Sequence, residues 1–570
     1  MKIAKLEISG YKNYASAVVN FNPKTLVIGS NDCGKTNLIH SLRLLLDKSL
    51  SESDIEPKES DFHISKDGTQ SEKLSIAIHF DEIHQDAVLS ILRGNVSGDG
   101  KCILKYEALR KDLSYRILCG PKSEQLNEIS GRFYLKYLNL KYVKSSRDLE
   151  KFVSLEKKHL LKLSQELRTP EQSESDQEQL IKIEGNLNII NEQVRQLNYV
   201  ANATAAVNTE LSKLSNDLAD YSVFLDSGAI QTQQFIDNLK LSASTAGAKI
   251  SLGGDGRNNQ ILMALWKARS QHEYDPASEV VFYCIEEPEA HLHPHQQRRL
   301  ANYLIEDLSG QTIITTHSPQ ITARFTPADV VHIKKSNRGS YAASQGCSKC
   351  ISEHWDNLGY RMSVLPAEAF FAKCVLLVEG PSEVLFYTEL SKQLDIELDY
   401  YNISILSVDG VQFSVYTKIL DAMEIAWIAK TDNDISSIEC KQIKYKQLAG
   451  INRGRNLVNL PPLPHLPEAA NHDTLHREGH WKAACDILNP KGVYLSKVDL
   501  ENDMGEELGP ELLAYTSKPS IAEAITYLQK SKAIRMRAFL AQHGQALGKM
   551  ENGLLAQPLL HSRQIAEGCV

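Results

Sequence analysis

Between Thr25 and Leu42 the chain reads Thr25-Leu26-Val27-Ile28, then Gly29-Ser30-Asn31-Asp32-Cys33-Gly34-Lys35-Thr36, then Asn37-Leu38-Ile39-His40-Ser41-Leu42. The middle segment fits G-x-x-x-x-G-K-T without deviation. No other stretch restricts the fold as much, because this loop works only between a buried strand and the start of a helix, the unit of a parallel α/β sheet. Gly29 and Gly34 let backbone amides wrap phosphate oxygens, and the helix N-terminus adds positive potential. Asn31 and Asn37 flank the cradle. Lys35 is expected to reach the outer phosphates of a nucleoside triphosphate, and the Thr36 hydroxyl to hold its magnesium.

A second acid-bearing pattern lies far downstream. Val375-Leu376-Leu377-Val378 runs into Glu379-Gly380-Pro381-Ser382-Glu383, and Ala426-Trp427-Ile428-Ala429 leads to Thr431-Asp432-Asn433-Asp434. An apolar run ending in a carboxylate reads as a buried parallel strand delivering an acid to its carboxyl edge. Two such strands side by side bring Glu379, Glu383, Asp432 and Asp434 to one place. Asp499-Leu500-Glu501 follows a third short apolar strand, Val493-Tyr494-Leu495. Carboxylates this close cannot all ionise without cations between them. Hard oxygen donors select magnesium or manganese, and a pair of such ions is the usual machinery of phosphodiester cleavage. The bland alternative is a set of unrelated acids on a solvated rim.

Three further segments resemble the ABC-type ATPases. Ile250-Ser251-Leu252-Gly253-Gly254-Asp255-Gly256 is similar to their signature loop, which implies that Ser251, Gly253 and Gly254 contact the nucleotide of a second subunit. Val280–Glu289 looks like a Walker B strand, with Glu286 near magnesium and Glu287 orienting the attacking water. The usual first acid is Asp, so Glu286 is a departure. Ile313–Pro319 looks like the switch strand, placing His317 near the γ-phosphate. The long insert before the signature loop resembles short-armed relatives of the SMC ATPases. Within it Leu180, Ile183, Leu187, Ile190, Val194 and Leu197 step by three and four, a heptad stripe. Leu160, Leu163 and Leu167 form a shorter stripe. The run Thr169–Asp176, with Pro170, is expected to break the helices between them. A helical hairpin results, either packed on its own domain or serving as a dimerisation arm.

Composition fits a multidomain globular chain. The 570 residues are 42% apolar and carry a net charge of −8, which excludes a generally basic DNA-coating protein. There is no apolar run of membrane-spanning length and no secretory pattern at Met1–Ile8, so a cytoplasmic location is expected. The scattered cysteines suit a reducing compartment, and Cys347, Cys350 and His354 make only half a zinc pattern. Two local basic runs, Lys441–Arg455 and Lys530–Arg537, lie in the acid-bearing half.

Taken together, Gly29–Asn37, Gly254–Arg257, Ile285–Glu289, Val378–Glu383, Lys430–Ser436, Leu448–Arg453 and Tyr494–Asp503 resemble the OLD family of ATP-dependent nucleases, with likeness to the nuclease subunit of the Gabija antiphage system and to retron-associated members. The resemblance implies an α/β chain of five parts: an ABC ATPase portion at 1–149, a helical dimerisation insert at 150–225, the rest of the ATPase at 226–335, a linker at 336–365 and a Toprim nuclease domain with a helical extension at 366–570. It implies that Glu379, Glu383, Asp432, Asp434, Asp499 and Glu501 bind magnesium, manganese or calcium, and that Lys518 stabilises charge at the scissile phosphate. Implied partners are ATP, double-stranded phage or plasmid DNA, a second copy of the chain or a larger homo-oligomer, and an accessory protein: a helicase, or a reverse transcriptase with its RNA-linked DNA. The competing reading is an SMC-like, ATP-gated DNA clamp whose Toprim domain does not cut.

Overall fold

The computed structural model describes residues 1–144, 149–214, 236, 239, 242–245, 248–251, 261, 264–265, 279–290, 292–308, 310–347, 367–408, 410, 413–440 and 443–568. The expected signature-loop residues Gly253 and Gly254, with Cys350 and His354, lie outside them. Ser251 closes a short strand.

Strand β1 (Lys2–Tyr11) turns into β2 (Tyr14–Asn20), and β3 (Lys24–Ile28) follows. Lys12, in the hairpin turn, takes φ 47°, the left-handed value such turns favour. With β4 (Lys73–Asp81), β5 (Cys102–Leu109), β6 (Tyr115–Gly120) and β7 (Asn127–Ile129), the first hairpin forms an antiparallel sheet of order β2-β1-β4-β5-β6-β7.

β3 behaves differently. Thr25, Leu26, Val27 and Ile28 are all fully buried, as a strand covered on both faces must be. It sits inside a second sheet with β8 (Leu138–Val143), β11 (Val280–Glu286), β12 (Thr312–Thr315), β13 (Val330–Ser336) and β14 (Gly339–Ala342), in the order β14-β13-β3-β12-β11-β8. Every pairing is parallel except β13 with β14. The carboxyl ends of β3, β11 and β12 therefore open at one edge, where ligands of such sheets bind. This sheet runs past the expected boundary at 335, since β14 ends at Ala342 and the Cys347 N–H donates to the Asn20 carbonyl at 3.1 Å.

Residues Ser145–Pro276, with Ala290–Leu292, form a compact unit of their own. It contains helices Leu149–Glu166, Pro170–Arg195 and Asn198–Leu214, and a hairpin of β9 (Ser242–Thr245) and β10 (Ala248–Ser251). The unit extends beyond the expected insert of 150–225. The expected break at Thr169–Asp176 is shorter than the sequence suggested. Thr169 caps the second helix, accepting from the Gln172 N–H at 3.3 Å, and Pro170 opens it. Proline at a first helical position starts a helix because the N–H it lacks would be unpaired there anyway.

The C-terminal half is built on a parallel sheet of β15 (Cys374–Val378), β16 (Ile403–Ser407), β17 (Ala426–Thr431) and β21 (Val493–Leu495), in the order β16-β15-β17-β21. From β15 the chain crosses to β16 on one side, then returns to β17 on the other. The crevice between the carboxyl ends of β15 and β17 is thus a topological switch point. Between β17 and β21 a small antiparallel sheet holds β18 (Ser436–Cys440), β19 (Ile443–Gln447) and β20 (Leu466–Pro467). The terminal helices are no appendage. Leu500, Met504, Leu512, Leu528, Met536 and Phe539 share one buried cluster with Cys374, Leu376 and Val378 of β15.

The two halves meet at the turn before β17. Glu424, at φ 53°, accepts from Tyr341 Oη at 2.9 Å and from the Ser344 N–H at 3.0 Å. Ser344 Oγ donates to the Ala422 carbonyl at 2.7 Å, His332 Nδ1 lies 3.1 Å from the Met423 carbonyl, and Lys334 Nζ donates to the Glu424 carbonyl.

Candidate active site

At the edge of the first parallel sheet the nucleotide motifs come together. Gly34 caps helix Lys35–Leu46 in the left-handed region (φ 108°), so the loop amides face the helix start. Lys35 is buried and donates to the Gly29 and Ser30 carbonyls, both at 2.9 Å; burial lowers its pKa. Thr36 is exposed at the opening of the helix. Asn37, expected beside the phosphates, donates to Asn13 Oδ1 at 2.7 Å, and Asn13 donates to the Cys33 carbonyl at 3.0 Å. Asn37 therefore braces the loop from outside.

Glu286 ends β11, one oxygen accepting from Tyr142 Oη at 2.5 Å and the other buried without a hydrogen-bond partner. Glu287 takes φ 43°, and its carboxylate stands 3.2 Å from His317 Nε2. The expected Walker B acids and switch histidine thus occupy one place. The sequence reading missed Glu289. It accepts from Thr316 Oγ1 and from the His317 N–H, both at 2.7 Å, and burial raises its pKa. Glu289 ties the switch segment to the Walker B turn. Its signal was present as the third acid of Glu286–Glu289.

The second site lies at the switch point of the C-terminal sheet. Glu379 follows β15, and its Oε1 accepts from Thr431 Oγ1 at 2.6 Å and from the Asp432 N–H at 2.8 Å, which pins the ends of β15 and β17 together. Glu383 sits in the first turn of helix Pro381–Gln393 and is buried. Burial and the charges of Glu501 and Glu379 push its pKa up to about 7. Asp432 is pushed up to about 8 by burial and by Glu379 and Glu383. Glu501 is 1% exposed, both of its oxygens lack a hydrogen-bond partner, and burial raises its pKa. The expected acids therefore share one crevice and feel one another's charge.

The two outer members stand as follows in the structure. Asp499 is the N-cap of helix Leu500–Glu507. Its Oδ1 accepts from the Asn502 N–H at 2.8 Å and its Oδ2 from Gln529 Nε2 at 2.7 Å. Oδ1 thus starts the helix that carries Glu501, Oδ2 is held by helix Ile521–Gln529, and the Asp499 charge is felt by both Asp432 and Glu501. Lys518, expected at the scissile phosphate, is exposed on the turn after helix Gly509–Thr516 and pairs with none of the acids among the described residues. The lysine that reaches them is Lys532, whose Nζ lies 3.3 Å from Glu501 Oε2 and 3.9 Å from Asp432 Oδ2. It opens helix Lys532–His543, packed against helix Pro381–Gln393. Lys532 belongs to the basic run Lys530–Arg537, of which Arg537 is exposed to solvent.

A second cation completes the cluster. Arg453, of helix Ala449–Leu457, donates to Glu379 Oε1 and Thr431 Oγ1 through one nitrogen and to Asp434 Oδ2 through another. Nearby, Lys430 and Asp503 form a buried ion pair of 3.1 Å, and Asp503 also accepts from the Lys497 N–H at 2.9 Å. Among the described residues no three His, Cys, Asp or Glu side chains already surround a common ion position. The donor set nonetheless fits a hard divalent ion. It is all carboxylate oxygen, Glu501 offers a buried Oε1 without a hydrogen bond and an Oε2 ion-paired with Lys532, and the mutual repulsion that raises Glu383 and Asp432 is what such an ion relieves.

A nucleotide-binding sheet and a carboxylate-bearing switch-point sheet in one chain define a P-loop ATPase joined to a second α/β domain that clusters acids at its strand ends. Comparison with known proteins agrees. Residues 1–322 match the AAA ATPase domain family, and residues 370–434 match the TOPRIM domain of overcoming lysogenization defect protein-like proteins. The chain is 25% identical over 568 residues to Endonuclease GajA of Bacillus cereus, covering 94% of each. It is 23% identical to the OLD nuclease of Thermus scotoductus, covering 77% of this chain and 83% of that one. An SmcHead crystal structure bound to the C-winged helix domain of ScpA superposes at 17% identity with a TM-score of 0.40, covering 60% of this chain and 97% of that one. The chain belongs to the OLD family of ATP-dependent nucleases, with an AAA ATPase domain ahead of a TOPRIM domain.

Proposed function

We propose that this protein is a divalent-metal-dependent DNA endonuclease, controlled by its ATPase domain and acting as an effector of antiphage defence in the cytoplasm. The observation that carries the reading is the meeting of Glu379, Glu383, Asp432, Asp434 and Glu501 in one switch-point crevice with Lys532 beside them. These acids would hold the metal, magnesium or manganese with calcium as a substitute. When bound, such ions activate water and stabilise the oxygens of an in-line displacement at phosphorus. The chain's own residues do the rest. Glu379 locks the ends of β15 and β17 in register through Thr431 and the Asp432 amide. Asp499 holds the helix that presents Glu501. Lys532 places positive charge where negative charge develops on the phosphate. Lys444 and Lys446, on β19 close after Asp434 in the chain, supply phosphate contacts for the duplex.

Control by nucleotide is supported by the clasp around Glu424. β13 pairs with the P-loop strand in the register His332 to Ile28, and its side chains grip the turn that feeds β17 and hence Asp432. ATP bound between two subunits, Lys35 of one facing Ser251 of the other, would complete the ATPase site. The helical unit is the natural dimerisation arm, because Ile190, Val194 and Leu197 of the heptad stripe are 51%, 37% and 42% exposed. The antiphage role rests on the likeness to the Gabija nuclease GajA, whose accessory partner would be a helicase; a retron-type partner would be a reverse transcriptase with its RNA-linked DNA.

A plasmid-nicking assay with magnesium, manganese or calcium, with and without ATP, tests the reading. Wild-type protein is expected to nick, and Glu379→Gln to lose nicking while still binding ATP. Wild-type protein that binds DNA in an ATP-dependent way and never nicks would instead be a non-cutting clamp.

A further inference from the structure

Resting on the reading of the C-terminal crevice as a metal site, we propose that Arg453 is a built-in cation that competes with a divalent ion for Glu379 and Asp434, so that its guanidinium must leave before that ion can bind. One guanidinium nitrogen is shared by Glu379 Oε1 and Thr431 Oγ1, and the other holds Asp434 Oδ2. Glu379 Oε1 thereby serves three donors at once: the Thr431 hydroxyl, the Asp432 amide and Arg453. The guanidinium bridges the acid that ends β15 and the acid that follows β17, the two sides of the crevice. A planar fork matched to two carboxylates is the strongest monovalent occupant a protein can offer there. The Arg453 side chain is 10% exposed and that of Glu379 17%, while Asp434 is 52% exposed, so the fork closes the inner side of the crevice and leaves the Asp434 side open to solvent.

The backbone around Arg453 is fixed. Gly450 lies against the Asp432–Asp434 backbone so tightly that an added Cβ would stand 2.6 Å from the Asp434 nitrogen, and its own N–H donates to the Asp434 carbonyl at 3.0 Å. On the other side Gly454 packs on Leu488 and Val493, where a Cβ would meet them at 2.9 and 3.3 Å. Helix Ala449–Leu457 is wedged between these contacts. Only the side chain can move, and a released guanidinium stays tethered at the mouth of the crevice, where a phosphate oxygen would arrive. Lys532 differs: it stands 3.3 and 3.9 Å from its acids, and its side chain is 42% exposed. It can remain beside a bound ion, whereas Arg453 cannot remain between the same two oxygens.

Isothermal titration of manganese or calcium into the full-length protein tests this without reference to cleavage. Arg453→Met is expected to bind the ion about tenfold more tightly than wild type, the gain from removing a charge-assisted competitor. Arg453→Lys, which keeps the charge and loses the fork, is expected to tighten binding about threefold. A merely structural arginine predicts the reverse, so affinity equal to or weaker than wild type in a folded Arg453→Met protein overturns the proposal. Should the methionine variant not fold, the lysine variant decides: threefold tightening upholds the competition and unchanged affinity ends it. Absence of ion binding in wild type and in both variants would instead remove the underlying metal-site reading, which Glu379→Gln controls separately.

Discussion

At the scale of single residues, the acids were legible because each closes or follows an apolar run. Glu379 and Asp432 directly follow buried strands, and the Asp499–Glu501 pair opens the helix after β21, so period and position together announced them. What each acid does was not legible. Asp499 reads as a ligand in sequence, and its capping of the helix that carries Glu501 was not announced there, since capping and coordination ask for the same short carboxylate. Lys532 shows the opposite failure. It sits at a helix start with no strand to point at it, and only the packing of helix Lys532–His543 on helix Pro381–Gln393 brings it to Glu501. Its place among five acids, against the exposed place of Lys518, leads to a paired prediction. Lys532→Met should lower metal-dependent cleavage by about 10²-fold, the usual loss when one preorganised positive group is removed from a developing charge. Lys518→Met should cleave within about twofold of wild type. Initial rates of plasmid nicking at saturating metal compare the two, and a larger defect in the Lys518 variant would restore the original assignment.

Among elements, β3, β11, β12, β15 and β17 were recognisable as buried runs, and their parallel pairing follows from that pattern. The bounds of the helical arm were less readable, because Pro170 stops a helix in one context and starts it in another, and the Thr169–Gln172 capping box decides which. The clasp of β13 and β14 on the Glu424 turn had no sequence signal at all. It is made by backbone carbonyls and a left-handed glutamate, and the strand β14 that supplies Tyr341 falls in a stretch that reads as linker. Gly29 of the P-loop packs on the Ile333 carbonyl of β13, between the two residues that grip the turn. One strand thus touches both the loop and the turn before β17. Glu424→Ala removes the bonds to Tyr341 and Ser344 but touches neither site. It is expected to leave ATP-free nicking within about twofold of wild type while bringing the ratio of rates with and without ATP toward one. If that ratio stays at its wild-type value in Glu424→Ala, the clasp is only a structural contact.

For the whole molecule, assembly and pH response follow from faces and charges that no single element owns. The heptad stripe leaves Ile190, Val194 and Leu197 uncovered, so Ile190→Lys with Val194→Lys should shift sedimentation from dimer toward monomer; an unchanged sedimentation coefficient would remove the arm as the contact. The pH response has a defined sign. Glu383 and Asp432, ordinarily at 4.5 and 3.8, are held at about 7 and about 8 in the folded protein. Between those limits the folded chain keeps protons that the unfolded chain has released, so the metal-free protein loses stability as pH rises, and below about 4 these groups contribute nothing. His40 and His332 act in the opposite sense. Burial lowers both to about 4, so they add stability as pH climbs to their unfolded value of 6.5 and are silent above it. Lys24, lowered to about 8 by burial, acts only at higher pH. Across 6.5 to 8 the two carboxyls are joined by the Met1 amine, which burial lowers and which acts in the opposite sense, and by Glu501, whose raised pKa acts in the same sense. Thermal melts in chelator should show Tm falling across that window, with a slope of about 1 kcal/mol per pH unit. Millimolar manganese should flatten or reverse the trend, since the ion binds the ionised form and releases the held protons. Glu383→Gln with Asp432→Asn should lose most of that fall over the same range. A wild-type Tm that is flat in chelator from 6.5 to 8 would mean that the crevice acids are already ionised and neutralised by Arg453 and Lys532 alone.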